Sequence, residues 1–175
     1  MKKIGLGLLL IIALVAAAGP VQAFDGNRKG FLLNLGAGYG KYSTTNNFSE
    51  NGFVSDFKIG GGINPQIVIY YTNRILFYQA GTDSETRISG MTGVGVSYFI
   101  TPRTQTFFFS GALGVGSQRN LEDDFASKTG TGFTLGAGFE FAPNWTIEAS
   151  LMKATVGDYD QSITNLMLTL SWFAY

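Results

Sequence analysis

Four charged side chains interrupt otherwise apolar, alternating stretches of the sequence: Lys58, Arg74, Glu140 and Glu148. Successive residues of a strand point to opposite faces, and each of these charges falls on the face opposite the bulky apolar residues. Glu140 and Glu148 flank a turn at Pro143 on neighbouring strands, and the count from that turn places them at similar depth. Two carboxylates in a confined space repel unless a cation stands between them or one keeps its proton. Lys58, counted from its own turn at Pro65, falls near the height of Glu148. The expectation is that Lys58 bridges both glutamates and plugs the interior, with Arg74 adding a further polar link nearer the far end. The alternative is four charges solvated separately in a wet lumen.

Other chemistry finds few parts. The chain has no His and no Cys. Histidine is the usual general base because its pKa lies near neutrality, so most acid–base sites lack their central group here. Two glutamates alone make a poor metal site, and no metal or other cofactor is expected. Glycine runs such as Gly36-Ala37-Gly38-Tyr39-Gly40 could suggest a phosphate loop. Such a loop needs its glycines in a turn that opens a helix, whereas these occupy every second position of a strand pattern.

The elements that must carry these residues repeat one signature. In Phe31-Leu32-Leu33-Asn34-Leu35-Gly36-Ala37-Gly38-Tyr39, one face holds Phe31, Leu33, Leu35, Ala37 and Tyr39, and the other is mostly small or polar. The same pattern returns near 56–63, 66–74, 88–100, 105–117, 132–141, 145–152 and 165–173, which makes eight strands. Tight connections with Pro65, Pro102 and Pro143 alternate with longer polar ones near 43–55, 75–87, 118–130 and 153–163. Proline presets a turn and cannot donate within a ladder, so those sites suit hairpin ends. The pattern predicts an all-β, antiparallel, up-and-down barrel of eight strands.

Lipid is the solvent that this barrel expects. A soluble barrel would carry Lys and Glu outside, yet charged residues make up only 14% of the chain, against about 25% in ordinary soluble domains. An eight-stranded interior is only wide enough for side chains, so the small face belongs inside and the bulky face outside. Aromatic residues are expected to form two interfacial girdles. Tyr98, Phe107, Phe141, Trp145 and Trp172 lie near the tight turns, and Tyr39, Tyr42, Tyr71, Phe77 and Tyr78 near the long loops. Residues 1–23 read as a cleavable signal peptide, with Lys2-Lys3, an apolar run Ile4–Ala18 and a small-residue exit at Val21-Gln22-Ala23. The barrel is then expected to occupy 24–175, with 10 basic and 12 acidic residues once Lys2 and Lys3 are removed. No basic patch remains to suggest a nucleic-acid partner.

The sequence ends in an alternating apolar strand, Leu166 to Trp172, followed by Phe173-Ala174-Tyr175. With the strand pattern and turn alternation, this resembles the small bacterial outer-membrane barrels typified by the transmembrane domain of outer membrane protein A and by outer membrane protein X. The resemblance implies export to the outer membrane and contact with its lipid and lipopolysaccharide. It also implies recognition by the barrel-insertion machinery through Leu168, Leu170, Trp172, Phe173 and Tyr175, with Tyr175 out of phase with the lipid-facing series. Related barrels serve as anchors, adhesins, resistance factors or narrow conduits. The barrel enzymes that act on lipid or peptide use a histidine that this chain lacks. The expected function is therefore a non-enzymatic role in envelope structure or surface interaction through four external loops, with an extracellular partner of those loops among the expected contacts. A narrow channel or hydrophobic-solute conduit is the alternative, and a lipid-modifying enzyme a minor one.

Overall fold

The computed structural model describes residues 28–45, 48–80, 85–121, 127–157 and 161–175. The expected signal peptide, 1–23, lies outside them. Eight strands close into one antiparallel barrel, each paired with its sequence neighbour and β1 with β8. They are β1 (Gly30–Thr44), β2 (Ser49–Asn64), β3 (Ile67–Ala80), β4 (Glu85–Phe99), β5 (Thr106–Asn120), β6 (Ser127–Ala142), β7 (Trp145–Val156) and β8 (Gln161–Ala174). No described helix is long and apolar enough to cross a membrane, and every crossing is made by a strand. Closure leaves no open edge, which a bilayer demands because lipid offers no hydrogen bonds to backbone.

Register sets the shape. Following paired residues from Asn34 leads through Lys58, Thr72, Gly93, Gly114, Gly132, Ala154 and Ile163, and returns to β1 ten residues on at Thr44. A stagger of that size over eight strands tilts them by about 40° from the barrel axis. At that tilt roughly ten residues cross an apolar layer of about 25 Å. The strands run from 12 to 16 residues, so they overshoot it.

The overshoot lies at the end away from the prolines. On β5 the outward residues are apolar from Phe107 to Val115 and turn polar at Ser117 and Arg119; on β8 they are apolar from Trp172 back to Leu166 and polar at Thr164 and Ser162. This corrects the loop lengths read from sequence. Connections at that end are 45–48, 81–84, 121–126 and 157–160, well short of the expected spans. Backbone pairing continues above the apolar belt because ladder hydrogen bonds do not need greasy side chains, whereas the alternation signal fades there.

The turns follow local chemistry. The Asn64 side chain accepts from the backbone N–H of Gln66 and of Ile67, both at 2.8 Å, an Asx turn that Pro65 preorganises. Asn144 takes a positive φ of 67°, a conformation asparagine tolerates better than most residues. The β4–β5 connection is looser, spanning 100–105.

Candidate functional site

Side chains fill the lumen in three layers. The middle layer is ionic. Arg74 on β3 makes a two-pronged contact with Asp56 on β2, donating from Nε at 3.0 Å and from Nη2 at 2.8 Å. The same guanidinium reaches across the lumen to β7, donating to Ser150 Oγ at 2.6 Å and to Glu148 Oε1 at 3.1 Å. Lys58 donates to Glu148 Oε2 at 2.6 Å, lies 3.4 Å from Asp56 Oδ2, and stands over the ring of Tyr70. Ser110 donates to Glu148 Oε1 at 2.9 Å, and Asn34 lies at 3.4 Å from Asp56. All four charged residues are at most 4% exposed.

Two cations and two anions cancel. Each carboxylate oxygen of Asp56 and Glu148 accepts a hydrogen bond from the two cations of this layer. Small residues make the room: a Cβ on Gly136 would stand 2.5 Å from Ser110 Oγ and 2.6 Å from Glu148 Oε1. The space left beside this layer, between Tyr70, Met91 and Thr134, amounts to about 10 Å³, at the lower limit for one water.

The bottom layer, at the proline-turn end, gathers Glu140 and an arginine that precedes the first strand. Arg28, 1% exposed, pairs with Glu140, 0% exposed, and the Tyr175 hydroxyl donates to the same carboxylate. Arg28 also donates to the carbonyls of Pro65 at 3.0 Å, Thr101 at 3.2 Å and Arg103 at 2.7 Å. Its guanidinium stands 4.1 Å from the ring centre of Phe99. Leu32, Val68, Phe108 and Phe173 pack around this group.

The top layer is mostly apolar, with Val54, Leu76, Met91, Met152, Ile163 and Met167. Above it Tyr42 and Tyr78 stack at 4.3 Å, and Gln118 Nε2 donates to both hydroxyls. At the mouth, above the apolar belt, Glu85 accepts from Arg87 at 2.9 Å and from Asn120 at 3.0 Å, and the Arg87 hydrogen bond lowers its carboxyl pKa.

Several sequence-based expectations change. Lys58 pairs with Glu148 alone of the two glutamates, and Glu140 is taken up by Arg28 and Tyr175. The equal-depth reading fails because Glu148 pairs with Gly138, two residues further from the turn than Glu140, and a bulge between Glu140 and Ala142 shifts the register. Strand tilt then carries the two carboxylates into separate layers. Arg74 joins the Lys58–Glu148 group directly. Asp56, Arg28 and the Tyr175 hydroxyl were not anticipated as partners.

Among the aromatics, Phe107, Phe141, Trp145, Tyr98 and Trp172 face outward near the proline turns, and Tyr39 and Phe53 face outward toward the other rim. Tyr71 does not belong to that upper group: it pairs with Ile59 and Val94, in the lower half of the apolar belt. Tyr42 and Tyr78 point inward. Leu168 and Leu170 face outward with Trp172, whereas Phe173 and Tyr175 turn into the barrel base. The final aromatic therefore serves the Glu140 layer.

The sequence model of the "Outer membrane protein beta-barrel domain" matches residues 11–172. No curated protein sequence matches the chain. Among solved structures, the attachment invasion locus protein Ail of Yersinia pestis is similar at 16% identity and a TM-score of 0.59, over 83% of this chain and 99% of Ail. Neisserial surface protein A is similar at 16% identity and a TM-score of 0.59, over 82% of this chain and 96% of that one. Ail in complex with the heparin analogue sucrose octasulfate aligns at 14% identity and a TM-score of 0.55, over 82% and 99% of the two chains. At such identities the structural likeness speaks for the fold. The family match extends over nearly the whole sequence, and with the closed eight-stranded barrel and its apolar belt it places the chain in the bacterial outer membrane as a member of the outer membrane protein beta-barrel domain family.

Proposed function

We propose that this protein is a closed, non-enzymatic barrel that acts in the envelope through its extracellular end. The observation that carries this reading is the packed lumen. Between the Arg28–Glu140–Tyr175 floor and the Tyr42–Tyr78 stack, the interior is occupied by paired charges and apolar side chains, with about 10 Å³ left beside the ionic layer. A conduit needs a continuous wet or apolar path and an enzyme an available reactive group, and a lumen filled by paired charges and apolar side chains favours neither.

The activity then falls to the rim and its four connections. By sequence three of the four are acidic, with Asp83, Glu122-Asp123-Asp124, Asp158 and Asp160. An acidic crown disfavours a polyanion of the kind bound in the Ail complex and suits a basic or amide-rich partner surface. Insertion through β8 by the barrel-assembly machinery completes the reading, with Leu168, Leu170 and Trp172 as its lipid-facing signal.

Conductance of the refolded mature protein in a planar bilayer tests the central claim, with folding checked by heat-dependent gel mobility. A silent membrane is expected from folded protein. Steady unitary steps would overturn the closed-barrel reading and put transport in its place.

A further inference from the structure

The outer wall carries its charges in one place and with one sign. Among the described side chains at outward strand positions, the charged ones are Lys41, Arg119 and Lys153. The carboxylates on the strands, by contrast, stand at inward positions, from Glu50 and Asp56 to Glu148. All three cations lie at or above the upper border of the apolar belt. Lys41 pairs across to Leu166 and Lys153 to Thr164, so the two exposed lysines flank β8, about 12 Å apart at one level.

Below Lys153 the wall is grooved. A depression of about 420 Å³ runs between Lys153, Thr131, Thr155 and Ser162 and down to Leu113 and Phe133. A second, also about 420 Å³, starts from Leu113 and Phe133 and continues to Gly111, between Val96 and Leu135. The two border the same cross-strand pair, Leu113 and Phe133; the upper is cationic and hydroxyl-lined at the headgroup level, and the lower is apolar at acyl depth. Gly111 is the floor of the lower depression: a Cβ there would meet nothing closer than Leu135 Cδ2 at 3.7 Å. Glycine on the lipid face of a strand gives up side-chain packing, and here it leaves the trough of the lower depression.

We propose that these two depressions together hold one phosphorylated glycolipid of the outer leaflet, with Lys153 in the upper one and Lys41 across β8 on its phosphates, and an acyl chain laid over Leu113 and Phe133 toward Gly111. Charge complementarity selects this occupant. A second copy of the chain would bring the same two lysines against themselves, and an uncharged lipid would leave them unpaired at the edge of the belt. Phosphate accepts charge-assisted hydrogen bonds from ammonium groups, and Thr131, Thr155 and Ser162 add neutral donors around it.

The test is native mass spectrometry of the folded protein titrated with diphosphoryl lipid A, with dephosphorylated lipid A, or with phosphatidylglycerol. Diphosphoryl lipid A is expected to stay bound and to outcompete both others. Lys153→Gln should weaken it about fivefold, and Lys41→Gln with Lys153→Gln about 25-fold. Gly111→Leu, whose Cβ would meet nothing closer than 3.7 Å, should fill the trough and lower retention several-fold with no change in charge. Heat-dependent gel mobility confirms that each variant is folded. Equal retention of phosphatidylglycerol, or binding by the double-lysine variant within twofold of the native chain, would overturn the site. Unaltered binding by Gly111→Leu would overturn the acyl trough.

Discussion

Removing Arg28 should weaken the barrel more than any surface change, because one side chain ties together most of the proline-turn end. Its guanidinium pairs with Glu140 on β6 and donates to Pro65 in the β2–β3 turn and to Thr101 and Arg103 in the β4–β5 connection. It also lies over Phe99 and near the Tyr175 ring. In Arg28→Ala, Glu140 keeps only the Tyr175 hydroxyl and becomes a buried anion without a counter-charge. Breaking a buried pair in this way costs about 3–5 kcal/mol. Three carbonyls also lose a charged donor, worth roughly 1.5–3 kcal/mol each in isolation. These terms do not add, because the layer lies at the barrel mouth, where water can enter the space that Arg28 leaves. The expected loss is therefore about 3 kcal/mol, the lower end of the range for a broken buried pair.

Urea unfolding from lipid vesicles measures it, followed by the fluorescence of Trp145 and Trp172, whose strands pair with each other at those residues. The double variant Arg28→Met with Glu140→Gln separates charge from packing. Replacing both partners leaves no orphaned ion, so it should regain most of the loss seen in Arg28→Ala. A midpoint for Arg28→Ala within about 0.5 kcal/mol of the native value would refute the keystone role. So would a double variant no better than the single one, which would assign the loss to packing alone.

Three further outcomes follow from the same geometry. Glu148→Gln leaves Asp56 alone against Lys58 and Arg74, so stability should fall by about 3 kcal/mol, and adding Lys58→Met should restore much of it, read by the same urea midpoint. Gly136→Ala drives a methyl into Ser110 and Glu148 and should cost about 1–3 kcal/mol, whereas Gly111→Ala on the open outer wall should stay within about 0.5 kcal/mol. At the exposed mouth, the Arg87 contact that lowers the Glu85 pKa holds at neutral pH and is lost as pH falls through that lowered value; an NMR titration should show it, and Arg87→Gln should return the midpoint to the ordinary glutamate range.

The barrel was legible because its face pattern is redundant. Leu166, Leu168, Leu170 and Trp172 all lie on one face, and a slip of one residue would turn the whole set inward. The site was legible in part. Alternation assigns Lys58, Arg74, Glu140 and Glu148 to the inner face, but it carries no information on depth once strands tilt and a bulge intervenes. One missed partner did leave a trace: Asp56 and Arg74 stand equally far from Pro65, the count that pairs them across the β2–β3 hairpin. Arg28 left none. It precedes β1, follows no period, and gains its role only when two turns and the end of β6 converge on it. Tyr71 was misplaced because aromatics were counted against loop boundaries set too close to the belt, and β3 in fact continues to Ala80.

The two ionic layers divide one task. Each is neutral by itself, with Arg28 against Glu140 below and Asp56 and Glu148 against Lys58 and Arg74 above. Neutral, hydrogen-bonded layers can be buried in a narrow lumen, whereas one net charge there would draw in water or a counter-ion. The outer wall follows the opposite rule: Lys41 and Lys153 stand exposed at the upper border of its apolar belt, and among the described residues no carboxylate shares the outward strand positions. On the proposed reading, charge cancelled inside keeps the cylinder shut, and the two outward lysines are placed to meet a phosphate. Substitutions in the lumen should therefore move stability and conductance together, while Lys41 and Lys153 should move lipid retention alone. A lysine variant that unfolded at lower urea with unchanged lipid retention would break that division.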